Sequence, residues 1–393
     1  MVGRRPRLLI SIGTVLVVLL MVVSPASAAG GWTVETSASP GGIPNLNELN
    51  GVAAASGSPA WAVGYYDDSG NELTLILKRT SSGWVQIPSP NPGGPSDSGH
   101  DDNELYGVAA TSSTNAWAVG EYNDGFAYNT VIARWNGASW KKQTSPNPGG
   151  STQENVLYGV AGTSASNAWA VGDYTDGTTK YRTLIAHWNG VKWSKQTSPS
   201  PGPTSNVLKA VGATSAKNAW AVGTYFDAGG HPRTLIEHWN GVKWSKQPSS
   251  NPSATEDELL GVTAISASNA WAVGYSTTPT SYRTLILHWN GVKWRRVTSP
   301  NPGGSSASDQ LTAVDATSST NAWAVGWENS GTGTVSTVIE RWNGTAWKGQ
   351  PSPNAGTVDD ELYGVAATSS SNAQAAGFSY NGSQKVTLVI HCC

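Results

Sequence analysis

The stretch Asn115-Ala116-Trp117-Ala118-Val119-Gly120 decides how this chain is read. Trp117 and Val119 alternate with Ala116, Ala118 and Gly120, the period of two that marks a strand. A strand that is bulky on one face and small on the other belongs to a sheet wedged between two neighbours. The core of the stretch recurs with its tryptophan at Trp61, Trp169, Trp220, Trp271 and Trp323, and a degenerate copy places Gln374 there. Successive copies lie 51 to 56 residues apart.

Working outward from Trp117 gives the rest of the unit. Residues 105–112 are a strand-length run of small side chains, suited to the crowded centre of a radial assembly. Asn123-Asp124-Gly125 turns the chain into a third strand over 130–135. Asn136-Gly137 predicts a type I′ hairpin, with positive φ at both residues, into a fourth strand over 140–144. Ser145-Pro146-Asn147-Pro148 then breaks the ladder. Four strands per unit at this period predict an all-β fold, a seven-bladed β-propeller of four-stranded antiparallel blades. The last unit stops at 387–391, which matches a third strand, while residues 32–36 stand at the start as an orphan fourth strand. The expectation is a ring closed by that N-terminal strand completing the last blade, which leaves no open sheet edge.

Residues 1–28 read as a secretory signal peptide: Arg4, Arg5 and Arg7, an apolar run over 8–23, and an A-x-A cleavage site ending at Ala28. Residues 29–393 are then one propeller domain, secreted to the extracellular space without membrane insertion after signal removal. The signal carries three of the 24 Lys and Arg, leaving 21 against 26 Asp and Glu, a net charge of −5. The absence of a basic block argues against nucleic acid as a partner. Cys392 and Cys393 are the only cysteines. Being adjacent, they can join only in a strained ring or between chains, so an intermolecular disulfide through Cys392 or Cys393 is a candidate partner contact. They have no second ligand pair nearby for zinc, and neither a metal nor another cofactor is expected.

The pattern N-A-W-A-V-G, then T-L-I-x-H, then W-N-G-x-x-W resembles the repeats of secreted bacterial propellers in the degenerate Asp-box, sialidase-like superfamily. That superfamily includes the photosystem II stability and assembly factor type. Its repeats place a W-A-V-G strand before an S-x-D-x-G-x-T-W hairpin. Here the glycine and final tryptophan keep their spacing, as in Gly137 with Trp140 and Gly190 with Trp193. The aspartate position is instead Trp135, Trp188, Trp239, Trp289 and Trp342. The resemblance spans residues 29–393 and implies the fold; such propellers host enzymes, lectins and assembly factors alike.

Strand alternation puts the connections between second and third strands on the same face as the unit-to-unit connections, with the N-G hairpins opposite. Ligand sites are expected on the first face. There the chain offers an aromatic beside an acid: Tyr66 with Asp67, Tyr122 with Asp124, Tyr174 with Asp176, Tyr225 with Asp227, and Trp327 with Glu328. A ring beside a carboxylate suits the apolar face and hydroxyls of a sugar, and aromatics also anchor protein interfaces. Asn47, Asn103, Asn155, Asn206, Asp257, Asp309 and Asp360 precede the innermost strands and read as turn-forming residues. The next position varies, and Glu104, Glu258 and Glu361 are candidate ligand-binding carboxylates near the channel mouth.

His187, His238, His288 and His391 occupy one repeat position, too far apart to share a metal, and are expected half-exposed on an outer strand. Arg182, Arg233 and Arg283 open third strands at the periphery, unlike the central arginine triad of a sialidase. An enzyme site gathers unlike groups at one point, the opposite of a near-uniform repeat. The reading is a non-catalytic binding or scaffold protein that recognises an extracellular glycan or protein through its loop-rich face. The alternatives are a sialidase-like glycoside hydrolase or lyase, and a purely structural cell-surface protein. Units 1, 6 and 7 depart most from the repeat, at Ser56-Gly57-Ser58-Pro59, Trp327-Glu328-Asn329-Ser330 and Phe378-Ser379-Tyr380-Asn381.

Overall fold

A computed structural model describes residues 31–41, 46–55, 58–93, 102–304, 307–331 and 333–392. The signal-peptide segment, Ser56-Gly57 and Cys393 lie outside the described residues. The unit read around Trp117 folds as four antiparallel strands in sequence order, Asn103–Ser112, Asn115–Asn123, Tyr128–Trp135 and Trp140–Gln143. Five such four-stranded sheets follow one another up to Val297. The remaining strands form one larger sheet. In it Ser308–Ser318, Asn321–Asn329, Val335–Trp342 and Trp347–Gln350 make a further four-stranded set. A single parallel pairing of Val335 with Asp359 joins that set to Asp359–Ser369, Asn372–Tyr380 and Lys385–Cys392. Trp32–Glu35 pairs antiparallel with Lys385–Cys392, placing Trp32 opposite Cys392 and Glu35 opposite Val389.

The bulky-and-small alternation sets how units pack. Trp117, Val119 and Ile132 turn to the following unit and bury against Leu157, Ala168, Ala170, Leu184, Trp188 and Trp193. Ala116 and Ala118 turn back to receive Trp61 and Val63 of the preceding unit. The Trp117 ring centroid lies 5.0 Å from Trp188 and 5.1 Å from Trp193, the latter edge-on at 87°. The same three-ring arrangement forms around Trp61, Trp169, Trp220 and Trp271. These second-strand tryptophans are fully buried, and edge-to-face pairs add stabilisation beyond the area they bury.

Gly120 ends the motif for a steric reason. A Cβ there would lie 1.9 Å from the Glu104 carbonyl oxygen, where the innermost strand shifts register between Leu105 and Gly107. The N-G hairpin differs from the two-residue type I′ turn expected. Trp135 pairs with Trp140, which leaves four residues in the loop, and Gly137 has φ 97° whereas Asn136 is not left-handed. The Asn136 carboxamide oxygen accepts from the backbone amides of Ala138 and Ser139 at 3.0 and 2.9 Å. The side chain thus supplies bonds that a tighter turn would draw from backbone, and only the glycine need adopt positive φ.

Candidate binding site at the channel mouth

Each innermost strand reads Leu-x-Gly or Leu-x-Ala. The leucine is buried between units, and x, on alternation, points the other way. The x residues are Asn50, Tyr106, Tyr158, Lys209, Leu260, Thr312 and Tyr363, and together they line a cavity of about 190 Å³ at the centre. A second variable position follows the glycine of each second strand. Here Tyr65, Glu121 and Tyr275 pair across the sheet with Glu48, Glu104 and Glu258, and Phe378 pairs with Glu361. Start of first strand and end of second strand share one face, so both positions meet at one mouth of the channel.

The groups there are connected. The Tyr106 hydroxyl donates to Glu121 Oε1 at 2.7 Å, and the Tyr106 and Tyr158 ring centroids are 5.4 Å apart. Lys209 Nζ sits 3.6 Å from the Tyr158 ring centroid, a cation–π contact. Tyr363 donates to Glu361 at 2.8 Å, and Lys385 Nζ to Glu48 at 2.6 Å. Burial pushes the Glu121 carboxyl up to about 7, with the Asp173 and Glu154 charges adding and the Tyr106 bond opposing. Burial also lifts Asp173 to about 7, against the pull of Lys209, and leaves its Oδ1 without a hydrogen-bond partner. Glu72 and Glu104 interact as a pair, and burial raises both; the Glu104 charge adds at Glu72, whereas hydrogen bonds from Tyr106 and Glu72 oppose the rise at Glu104. Lys209 is lowered by the same burial, opposed by Asp173, Glu258 and Glu121. The mouth is acidic and short of positive charge, and burial there favours the neutral form of several carboxyls.

Of the residues expected from sequence, Glu104, Glu258 and Glu361 belong to this cluster. The aromatic–acid pairs stay apart, spread around the rim at the ends of second strands and the turns that follow them. Tyr122, Tyr174 and Tyr225 pack against the blade cores, and Lys142, Lys195 and Lys246 from their own fourth strands cover their rings at 4.2, 4.2 and 3.9 Å. Tyr66 packs likewise against its neighbouring core. The acids hold their own turns. Asp124 accepts from the amides of Phe126 and Ala127, and Asp67 from that of Gly70. Asp176 and Asp227 pair with Arg182 and Arg233 at 2.8 Å; hydrogen bonds from Thr178 and then Arg182 lower Asp176, and those from Arg233 and the His231 amide lower Asp227 to about 2.

The register separates Trp327 and Glu328 from the tyrosines they were grouped with. Trp327 pairs with Gln310, the position of Glu121, and Glu328 pairs with Asp309, the position of Tyr122. Burial raises Glu328, and its Oε2 has no partner among the described residues.

The Asn/Asp series is buried and structural. Asn206 accepts from Gly202 N at 2.6 Å and donates to the Tyr181 carbonyl of the preceding unit, tying the connector in place. Where Asp replaces Asn the donor is lost; an arginine stands near two of the three, Arg233 at 3.7 Å from Asp257 and Arg283 at 3.4 Å from Asp309, whereas Asp360 accepts from the backbone amide of Gly356 at 3.0 Å. The arginine trio therefore braces the rim. His187, His238 and His288 are half-buried, stack on Trp169, Trp220 and Trp271 at 4.0 to 4.1 Å, and bond Asn167, Asn218 and Asn269. Among the described residues, no cluster of three or more His, Cys, Asp or Glu is placed to hold a metal ion.

Sequence reasoning missed Tyr106, Tyr158, Lys209, Glu121 and Asp173. The signal was present as variation within strands that are otherwise copied from unit to unit.

Repeated four-stranded antiparallel sheets, packed face to face about a central channel, define this chain as a β-propeller with its unlike side chains gathered at the channel mouth. Among solved structures it is similar to YCF48 bound to D1 peptide, with TM-score 0.53 and 14% identity, covering 94% of this chain and 99% of that one. It is also similar to a protein of unknown function from Dyadobacter fermentans DSM 18053, with TM-score 0.50 and 10% identity, covering 93% and 99%. At these identities the likeness establishes the fold. No family model and no curated protein matches the chain.

Proposed function

We propose that this is a secreted, non-catalytic binding protein, one closed seven-bladed ring over residues 29–393, that takes a segment of a protein partner at its channel mouth. The observation that carries the reading is the convergence of Tyr106, Tyr158 and Lys209 with Glu121 and Asp173 at one mouth of a fold built from closely similar copies. Tyrosines and a lysine among protonatable carboxyls suit a peptide that brings a basic side chain, because its charge relieves the repulsion that holds those carboxyls up. The propeller neighbour bound to a peptide supports a binding role for the fold. The pairing of Trp32–Glu35 with Lys385–Cys392 supports closure, as does the close approach of Gly364 to Gly51.

A glycan at the rim is the weaker reading, because lysines cover the tyrosine faces and the aspartates are spent on their own turns. One observation favours the hydrolase alternative. Tyr106 and Glu121 form a hydroxyl–carboxyl pair of the kind that can make a nucleophile. Against it, Arg182, Arg233 and Arg283 are engaged at the rim.

The test is binding of the mature protein to an array of synthetic peptides graded in charge. Basic peptides are expected to bind. A Tyr106→Ala, Tyr158→Ala, Lys209→Ala variant should lose them, whereas a Tyr122→Ala, Tyr174→Ala, Tyr225→Ala variant should keep them. The reverse pattern would place the site on the rim.

A further inference from the structure

At most junctions between units, a second-strand tryptophan of one copy meets third- and fourth-strand tryptophans of the next. Between the last unit and the first, this packing changes at several positions together. Gln374 stands in place of the second-strand tryptophan, and Arg79 in place of the third-strand one, since Arg79 pairs with Trp84 as Trp135 pairs with Trp140. The N-G loop is replaced as well, by Thr80-Ser81-Ser82-Gly83. Where two rings are missing there is a cavity of about 890 Å³, opening on the face opposite the channel mouth.

The cavity wall carries an orphan. Gln374 is 3% exposed and lines the cavity, and its Oε1 has no hydrogen-bond partner among the described residues. A buried carboxamide without a partner is unfavourable, so a concealed polar group beside a cavity points to something that completes it. His391, paired with Gln374 across the strand, has its Nε2 unpartnered too. In other units that nitrogen bonds an asparagine, whereas the counterpart here, Asn372, lines the cavity.

The chemistry of the wall selects the ligand. Its two charges neutralise each other: Arg79 bonds Glu35, whose other oxygen accepts from Trp84 Nε1 at 2.6 Å. No net charge is left over for an ion. The remaining polar groups are hydroxyls and amides, including Thr36, Ser58, Thr80 and Thr368, interspersed with Ala54 and Pro59. Such a wall offers donors and acceptors in mixture together with small apolar patches. A neutral polyhydroxylated molecule presents the same mixture, whereas an apolar ligand would leave the amide unpaired.

We propose that the junction between Gln374 and Arg79 is a binding site for a neutral sugar of one to three residues, separate from the channel mouth. The experiment is calorimetric titration of the mature protein with neutral mono- and disaccharides, including glucose, galactose, mannose, N-acetylglucosamine, maltose and trehalose, alongside sialic acid as a charged control. At least one neutral sugar should bind. Gln374→Leu, close in volume, should weaken it tenfold or more, and Ser82→Trp, at an exposed position on the cavity rim, should block it. Tyr106→Ala at the channel mouth should leave it unchanged, so this site can fail or stand independently of the peptide reading. The proposal is overturned if no neutral sugar binds, if sialic acid binds instead, or if both cavity variants bind as the wild type does. Loss of sugar binding in Tyr106→Ala would also overturn it.

Discussion

Glu340 provides the sharpest test of the packing. It sits mid-strand in Val335–Trp342, where repeat-equivalent positions hold Ala133, Ala186 and Leu287 and, in one other unit, the buried Glu237, and it is fully buried. Its Oε2 accepts a long 3.5 Å bond from Ser299, and Oε1 has no partner among the described residues. Burial raises the carboxyl to about 8, with Ser299 opposing and the Asp309 charge adding. An unfolded chain ionises this group near 4.5, so between about 4.5 and 8 the unfolded state has lost a proton that the folded state retains. Stability must fall as pH rises through that window, and the contribution is fully favourable only below it.

At about 1.4 kcal/mol per pH unit, the penalty reaches about 3 kcal/mol at pH 7 and levels off near 5 above pH 8. Glu340→Gln removes the titration while keeping the shape. The variant should match the wild type at pH 4 and exceed it by about 3 kcal/mol at pH 7. Urea unfolding followed by tryptophan fluorescence at pH 4, 5.5, 7 and 8.5 reads the difference directly. A gap that does not change with pH would refute the reasoning, and so would a wild type more stable than the variant at pH 7. Either result would mean that the carboxylate is ionised and satisfied in the fold.

Trp169→Ala should cost about 3–5 kcal/mol, since the ring is fully buried against Trp239, Trp244 and His187; thermal melting checks it, and an unchanged midpoint would move this residue out of the core. Gly120→Ala should destabilise by about 3 kcal/mol or more, because its Cβ would meet backbone rather than a movable side chain; soluble yield and urea midpoint report it. Deleting residues 29–40 removes buried Trp32 and bares the edge at Lys385–Cys392, so lower melting and concentration-dependent association are expected in size-exclusion chromatography. A deletion variant that stays monomeric with unchanged melting would show that the edge is protected otherwise.

The fold was legible because packing between copies imposes one pattern many times, so that A-W-A-V-G and its spacing report the same interface in unit after unit. The hairpin geometry was less so: Asn-Gly identifies a turn, but whether asparagine contributes its backbone or its carboxamide depends on the strand register at Trp135 and Trp140. Loops vary in length and composition and so draw attention, but the aspartates there are bonded into their own turns. The channel position between leucine and glycine varies just as much. It is hidden in a strand, and a linear reading gives no reason to set Tyr158 between Tyr106 of the preceding unit and Lys209 of the following one.

The junction at Gln374 shows the same limit more strongly. Its loss of tryptophan is visible in one copy, and Arg79 departs from the repeat in another copy almost the whole chain away. Each substitution alone reads as drift within a degenerate repeat. Only when Trp32–Glu35 pairs with Lys385–Cys392 do they face each other, with Glu35 bonded to Arg79 and the orphan carboxamide beside them. Two losses on opposite sides of one interface should leave a void that nearby apolar side chains fill or that destabilises the fold. Polar groups line this one instead, which is why we read the junction as a site and not as a defect.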